Sequence, residues 1–308
     1  MAEPNPRVTR RKVLAVKLET TKGTGVAADT HVLIYDPVLE ADDTRVVRRP
    51  AGIYGGRSKS GRGEGLGTFS GRAELRSNGT TGLDAGLAIL LQCCGWKLTT
   101  LTWSPSIVLS DQQTCSIQMY EDGVLKKLTG CHGSVSFSAM PGQPVNLEFN
   151  MRGVWAAVTD AALATNAIAA TAPMRLASGS CSLDTTYKAR VGSVKWGLNN
   201  AVAMHADVEN AAGYNYGYTS DNDATVELDP LGHLVAEHDT WGKWLAGTAV
   251  ALSLVVSDGT TKLTVAAPVL EIGQPKTADR DGLITHAYTG YCLHSSGNDQ
   301  LTMVSAAV

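Results

Sequence analysis

The feature that most limits what this chain can fold into is a two-residue alternation of apolar and polar side chains, broken repeatedly by glycine- and proline-bearing turns. Cys115-Ser-Ile-Gln-Met-Tyr120 alternates, Glu121-Asp122-Gly123 turns, and Val124 to Leu128 runs back. Asp-Gly between two such runs is a strong short-range signal for a hairpin. Gly133 to Ala139 alternates, Pro141-Gly142-Gln143-Pro144 turns, and Val145 to Met151 alternates again. Such strands bury one face and wet the other, so the expectation is a meander of short antiparallel strands. The 32 glycines and 11 prolines supply the frequent turns this needs.

One clear helix interrupts the first half. Thr80 or Thr81 can cap it, Leu83, Leu87, Leu90, Leu91 and Cys94 recur at helical spacing, and Gly95 stops it. The stripe reads as a packing face against a sheet. The second half repeats the plan. Thr225 to Leu228 is a strand, Asp239 caps a helix carrying Trp241, Trp244 and Leu245, and Gly247 ends it. Leu252 to Ser257, the Asp258-Gly259 turn and Lys262 to Ala266 make a hairpin, and Val269–Ile272 and Leu283–Tyr288 follow. The halves close on Arg152-Gly153-Val154-Trp155 and Thr289-Gly290-Tyr291.

This order of elements reads as a tandem duplication. The expected organisation is an N-terminal arm and first strand over 1–30, a β domain over 31–155 with a long loop at 45–71, a linker over 156–175 and a second β domain over 176–308. A single β domain with a decorated tail is the alternative. The Ala/Thr-rich stretch Ala156–Pro173 is a poor core and suits a linker. The Gly/Arg segment 45–71 holds eight glycines, and a loop of such length is usually functional or disordered. Its counterpart, Val208–Asp223, carries Tyr214, Tyr216 and Tyr218 and no basic residue.

Charge is distributed unevenly. Residues 1–175 hold 19 Lys and Arg against 15 Asp and Glu, an excess of four; the rest hold 7 against 14, a deficit of seven. Opposite halves suit a chain that touches its own copies, although drift would give the same totals. The basic excess centres on Arg45, Arg48, Arg49, Arg57, Lys59, Arg62, Arg72 and Arg76. Few aromatics interleave this cluster, so a protein-contact arm is favoured over a single-strand nucleic-acid grip.

The chain lacks the common catalytic signatures. Gly56-Arg-Ser-Lys-Ser-Gly61-Arg62-Gly63 has the glycine spacing of a phosphate loop but lacks its Lys and Ser/Thr. His233 and His238 lie five apart with no zinc-protease pattern, and there is no nucleophile elbow. The six cysteines, Cys93, Cys94, Cys115, Cys131, Cys181 and Cys292, form no Cys-x-x-Cys and read as buried thiols. The expectation is no enzyme, no cofactor and no metal. No run is long enough to span a membrane, and charge follows where a signal peptide would place its apolar core, so the protein is expected to stay in the cytoplasm where it is made.

Arg11-Lys-Val-Leu-Ala-Val-Lys-Leu-Glu-Thr-Thr-Lys-Gly-Thr-Gly25 resembles the opening of tail tube proteins (major tail proteins) of long-tailed bacteriophages. So do Asp36–Glu40, the arginine-bearing segment after it, the helix ending Cys93-Cys-Gly-Trp96, and Tyr120 to Val135. The resemblance is good over about 10–155 and holds by element order beyond. It implies a mainly β fold, a sandwich or barrel with a packed α-helix, here duplicated in tandem. It implies a structural virion protein, made in the host bacterial cytoplasm, that polymerises as stacked rings into the tail tube. Its partners would be its own copies, the tape measure protein, the tail terminator and distal tail proteins, and DNA in transit without specific binding. Six domains usually complete a ring, so two per chain imply a trimeric pseudo-hexamer and one per chain a hexamer. Inter-ring contacts are expected from Arg45, Arg48, Arg49, Arg57, Lys59 and Arg62, and N-terminal arm contacts from Arg10, Arg11 and Lys12. The competing class is a stand-alone β-protein that binds nucleic acid or carbohydrate.

Overall fold

The alternating runs fold as strands whose apolar sides face one continuous interior. A computed structural model describes residues 6–51, 56–165, 171–177, 179–184 and 187–308. In the first half the elements are β1 (Lys12–Leu18), β2 (Thr30–Val32), β3 (Tyr35–Arg48), β4 (Ser58–Glu74), α1 (Ala85–Gln92), β5 (Trp96–Thr99), β6 (Thr102–Pro105), β7 (Cys115–Glu121), β8 (Val124–Ala139), β9 (Asn146–Trp155) and β10 (Thr159–Asp160). The second half holds β11 (Cys181–Leu183), β12 (Tyr187–Lys188), β13 (Val191–Gly197), β14 (Ala201–Ala206), β15 (Tyr214–Asp221), β16 (Thr225–Pro230) and α2 (Thr240–Ala246). It ends with β17 (Val250–Ser257), β18 (Thr261–Ile272), β19 (Lys276–Arg280), β20 (Leu283–Leu293) and β21 (Thr302–Ala307). Strand makes up 57% and helix 5%, so the chain is mainly β, as its alternation required.

The pairing follows the turns. Asp122 (φ 38°) and Gly123 (φ 100°) both take left-handed backbone, the requirement of a tight two-residue hairpin, and close β7 on β8. From there the first-half neighbours run β2–β1–β7–β8–β9–β4–β3, all antiparallel. The second half runs β12–β11–β17–β18–β20–β16–β13, also antiparallel. The sequence of neighbours is the same in both.

Two seams join these sets. At one, β13 pairs with the end of β8, Trp196 opposite Phe137, the rings stacked with centroids 5.0 Å apart. At the other, β21 pairs with both β18 and β6. Buried apolar side chains are continuous from Leu14 through Phe137 and Trp196 to Met303.

Several expectations shift. The cap of α1 is Asp84, whose carboxylate accepts from Gly86 and Leu87 N–H at 3.1 and 3.3 Å. Thr80 is instead drawn into an Asn78-centred turn, where Asn78 Oδ1 accepts from its N–H and its hydroxyl. Asp239 caps α2 and Gly247 (φ 64°) ends it, but Leu245 is exposed, so this helix packs through less of its face than its pattern suggested. Most of the segment 45–71 is not loop: 45–48 and 58–71 belong to β3 and β4, which pair as one long hairpin. Glycine-rich text lowered its strand signal, but small residues let the two backbones approach; a Cβ on Gly63 would lie 2.7 Å from the Thr44 carbonyl oxygen. Parts of this segment (52–55) and of the expected linker (166–170) lie outside the described residues.

Candidate assembly surfaces

The Arg/Gly hairpin leaves the body of the protein at Leu66. Below that point β4 is held by β9, from Leu66↔Val154 to Glu74↔Asn146. Just beyond it, Gly65 N–H donates to the Ala212 carbonyl at 3.1 Å and the Tyr214 hydroxyl donates to Glu64 at 3.0 Å; farther out, among the described residues, β3 and β4 pair only with each other, Arg45 opposite Arg62 and Arg48 opposite Ser58. Arg45, Arg48, Arg49, Arg57 and Lys59 are exposed, and none forms an ion pair among the described residues. The side chain of Arg62 lies outside the described residues. Val46 and Val47 are also exposed, at 57% and 50%. A two-stranded ribbon with no apolar cover is marginal in water by itself.

The remaining cations of the cluster are already engaged. Arg72 meets Asp36 at 2.9 Å on the surface, and Arg76 meets Glu74 at 2.5 Å while donating to the Thr171 carbonyl at 2.9 Å. At the N-terminus, Arg11 contacts Asp122 at 2.6 Å and Lys12 contacts Glu121 at 3.2 Å, so both grip this chain's own β7–β8 turn; Arg10 is exposed. Downstream, β1 is built into the sheet, with Leu14, Ala15 and Val16 buried. Glu19 locks the following turn: its buried carboxylate accepts from Gly23 N, Thr114 Oγ1, Ser116 Oγ and Gly130 N at 2.8–2.9 Å.

The second-half ribbon β14–β15 occupies the place in its half that the arm occupies in the first, between β13 and β16, and it is covered. It lies against β8. Thr219 donates from its hydroxyl to His132 Nε2 (2.8 Å) and exchanges two bonds with Gln112 (both 2.8 Å). His132 Nδ1 donates to the Gln113 carbonyl at 3.0 Å. Burial of this ring lowers its pKa from 6.5 to about 4, so it is neutral in the folded chain near pH 7. Asn200 donates to the Cys94 and Gly133 carbonyls (2.7 and 3.1 Å), and Leu66, Val154 and Ala212 close a small apolar cluster at the foot of the arm. No sequence pattern marked this clasp, because Gln112, His132 and Thr219 meet only through the fold.

The two histidines that the sequence places five apart do come together. His233 and His238 have ring centroids 5.4 Å apart, and His286 is 5.5 Å from His233. His233 Nε2 and His238 Nδ1 both reach Thr240 Oγ1, at 2.9 and 3.0 Å, beside the Asp239 cap. Burial lowers the pKa of His238 and of His286. This is a hydrogen-bonded support for the start of α2; among the described residues no His/Cys/Asp/Glu group is placed to hold a metal ion. All six cysteines are buried and unbridged, and burial pushes the Cys93, Cys94 and Cys131 thiols well up.

The described residues thus give a mainly β chain with the same strand order in both halves and a projecting cationic ribbon. The family model described as phage tail tube protein matches residues 9–290, and the chain belongs to that family. It is thus a structural component of the virion tail. No curated protein matches the chain.

Proposed function

We propose that the chain polymerises as stacked rings into the tube through which DNA leaves the particle. The two strand sets, within 31–155 and 176–308, act as two tube-like units. Three chains then give a ring of six units; were the second set a decoration, six chains would be needed. The tape measure protein occupies the lumen before ejection, and tail terminator and distal tail proteins close the ends. DNA passes without specific contact, since each phosphate held by a fixed cation would strengthen retention.

The arm carries this reading. Arg45, Arg48, Arg49, Arg57 and Lys59 lack acidic partners among the described residues of their own chain, while the second half has a deficit of seven charges to offer from another copy. Arms and bodies of opposite sign favour contacts between copies over contacts of arm with arm. The distal cations, with Arg62 and exposed Arg10, reach the adjacent ring. Arg11 and Lys12, held to their own hairpin turn, fix the direction of the N-terminal segment.

Replacing Arg48→Glu and Arg49→Glu together tests the assignment. The expected product is a folded protomer with unchanged circular dichroism and melting temperature that no longer forms filaments. Filaments at ordinary salt from this variant would refute the role of the arm.

A further inference from the structure

We propose that Asn78 is a self-modifying site: the Gly79 backbone nitrogen attacks the Asn78 side-chain amide, closing a succinimide that water opens to aspartate or isoaspartate.

The dipeptide comes first. Asn78-Gly79 is the single Asn-Gly pair in the chain, and it lies between β4 and α1. Glycine has no Cβ to crowd its own nitrogen, and at φ 84° Gly79 holds left-handed backbone that other residues rarely adopt.

The surrounding hydrogen bonds match what this attack needs. Ring closure draws a proton from the Gly79 nitrogen and builds negative charge on Asn78 Oδ1. The Gly79 N–H donates to Ser77 Oγ at 3.1 Å, and Ser77 Oγ donates to Asp258 Oδ2 at 2.6 Å. Ser77 is 1% exposed, so this relay is shielded from water. Burial raises the Asp258 pKa, but hydrogen bonds from the Ser77 hydroxyl and the Thr261 and Thr260 backbone outweigh it and hold the carboxyl below its ordinary range. Asp258 is therefore ionised near pH 7 and able to accept. At the other end, Asn78 Oδ1 accepts from Thr80 N, Thr80 Oγ1 and Gly82 N at 2.9, 2.8 and 3.1 Å. An ordinary Asx turn needs only the first of these. Donors converging on the oxygen that gains charge act as an oxyanion hole.

The balance closes with water as the one outside reagent. The bond from Gly79 N to Asn78 Cγ forms, and the bond from Cγ to Nδ2 breaks. The Gly79 proton passes to Ser77 Oγ as the Ser77 proton passes to Asp258; a proton then returns to the departing nitrogen, which leaves as ammonia. Asn78 is exposed, so the ammonia is lost to solvent. Water then cleaves one of the two ring C–N bonds. Opening at Cγ gives aspartate; opening at the backbone carbonyl gives isoaspartate, with one more methylene in the main chain.

Both products alter a contact between the halves. This loop meets the β17–β18 turn through the Ser77–Asp258 bond and through Thr261, whose buried hydroxyl donates to the Thr80 carbonyl at 2.8 Å. Either product adds a carboxylate next to Ser77, and isoaspartate lengthens the backbone between the two bonds. The reaction therefore loosens this contact as the protein ages.

Peptide mass spectrometry that separates asparagine, aspartate and isoaspartate reads the reaction on the full chain aged at pH 7.5. Conversion at position 78 should be faster in the folded chain than in the same chain unfolded in urea. Ser77→Ala and Asp258→Ser should each slow the folded chain about tenfold or more and leave the unfolded rate unchanged. Asp258 is a positioning residue acting through Ser77, and the pH profile separates that role from a structural one. Between about pH 6 and pH 8 the unaltered folded chain should convert at a nearly constant rate, because its proton acceptor is already ionised. Asp258→Ser should instead convert faster with each rise in hydroxide. Asn78 left intact, or converting equally fast folded and unfolded, would overturn the proposal. So would a rate in the unaltered folded chain that climbs with hydroxide as steeply as in the variant.

Discussion

The clasp between His132, Thr219 and Gln112 makes the hold of the second-half ribbon on the first half dependent on pH. Its ring is buried, donates from Nδ1 to the Gln113 carbonyl and accepts at Nε2 from the Thr219 hydroxyl, so a proton at Nε2 would remove the acceptor and bury a charge. The folded pKa of about 4 lies below the ordinary 6.5. The unfolded chain therefore takes the proton first as pH falls. The stability this confers is complete above about pH 6.5 and drains away between there and pH 4. Each tenfold difference in proton affinity between the folded and unfolded chain is worth about 1.36 kcal/mol, so the loss reaches about 3 kcal/mol at pH 4. Urea unfolding at pH 7.5, 5.5 and 4.0 on the unaltered chain and on His132→Gln measures it. Other groups contribute equally to both proteins, so the difference in their pH slopes isolates this ring. The variant should start less stable and lose less, narrowing the gap by most of that amount. Parallel slopes would refute the assignment of a buried neutral histidine.

Two further outcomes follow from the packing. Trp196→Ala empties the stack on Phe137 at the internal seam and should cost about 3–5 kcal/mol in unfolding free energy, read from the urea midpoint. Asp84→Ala removes the true cap of α1 and should cost about 1 kcal/mol, whereas Thr80→Ala, one turn upstream, should cost clearly less on the same thermal melts.

Much of the fold was legible because the alternation survives in the text. The 115–128 hairpin, the strands at 133–139 and 145–151, and the helix ended by Gly247 all fall where period and turn chemistry place them. The arm was not legible as strand. Its glycines remove the side chains that carry the two-residue signal, and only the pairing of β3 with β4 shows that its backbone is extended. The cation cluster was visible as composition, but not which members are free: Arg72 and Arg76 are adjacent in sequence to the arm yet bound to Asp36 and Glu74.

The proposed tube requires that copies of this chain complete one another. Negative-stain microscopy of the purified protein across a range of concentrations tests it most directly. Rings or hollow filaments about ten nanometres wide are expected, the scale of several domains of this mass set around a lumen. Single particles of one chain at every concentration and salt would contradict it.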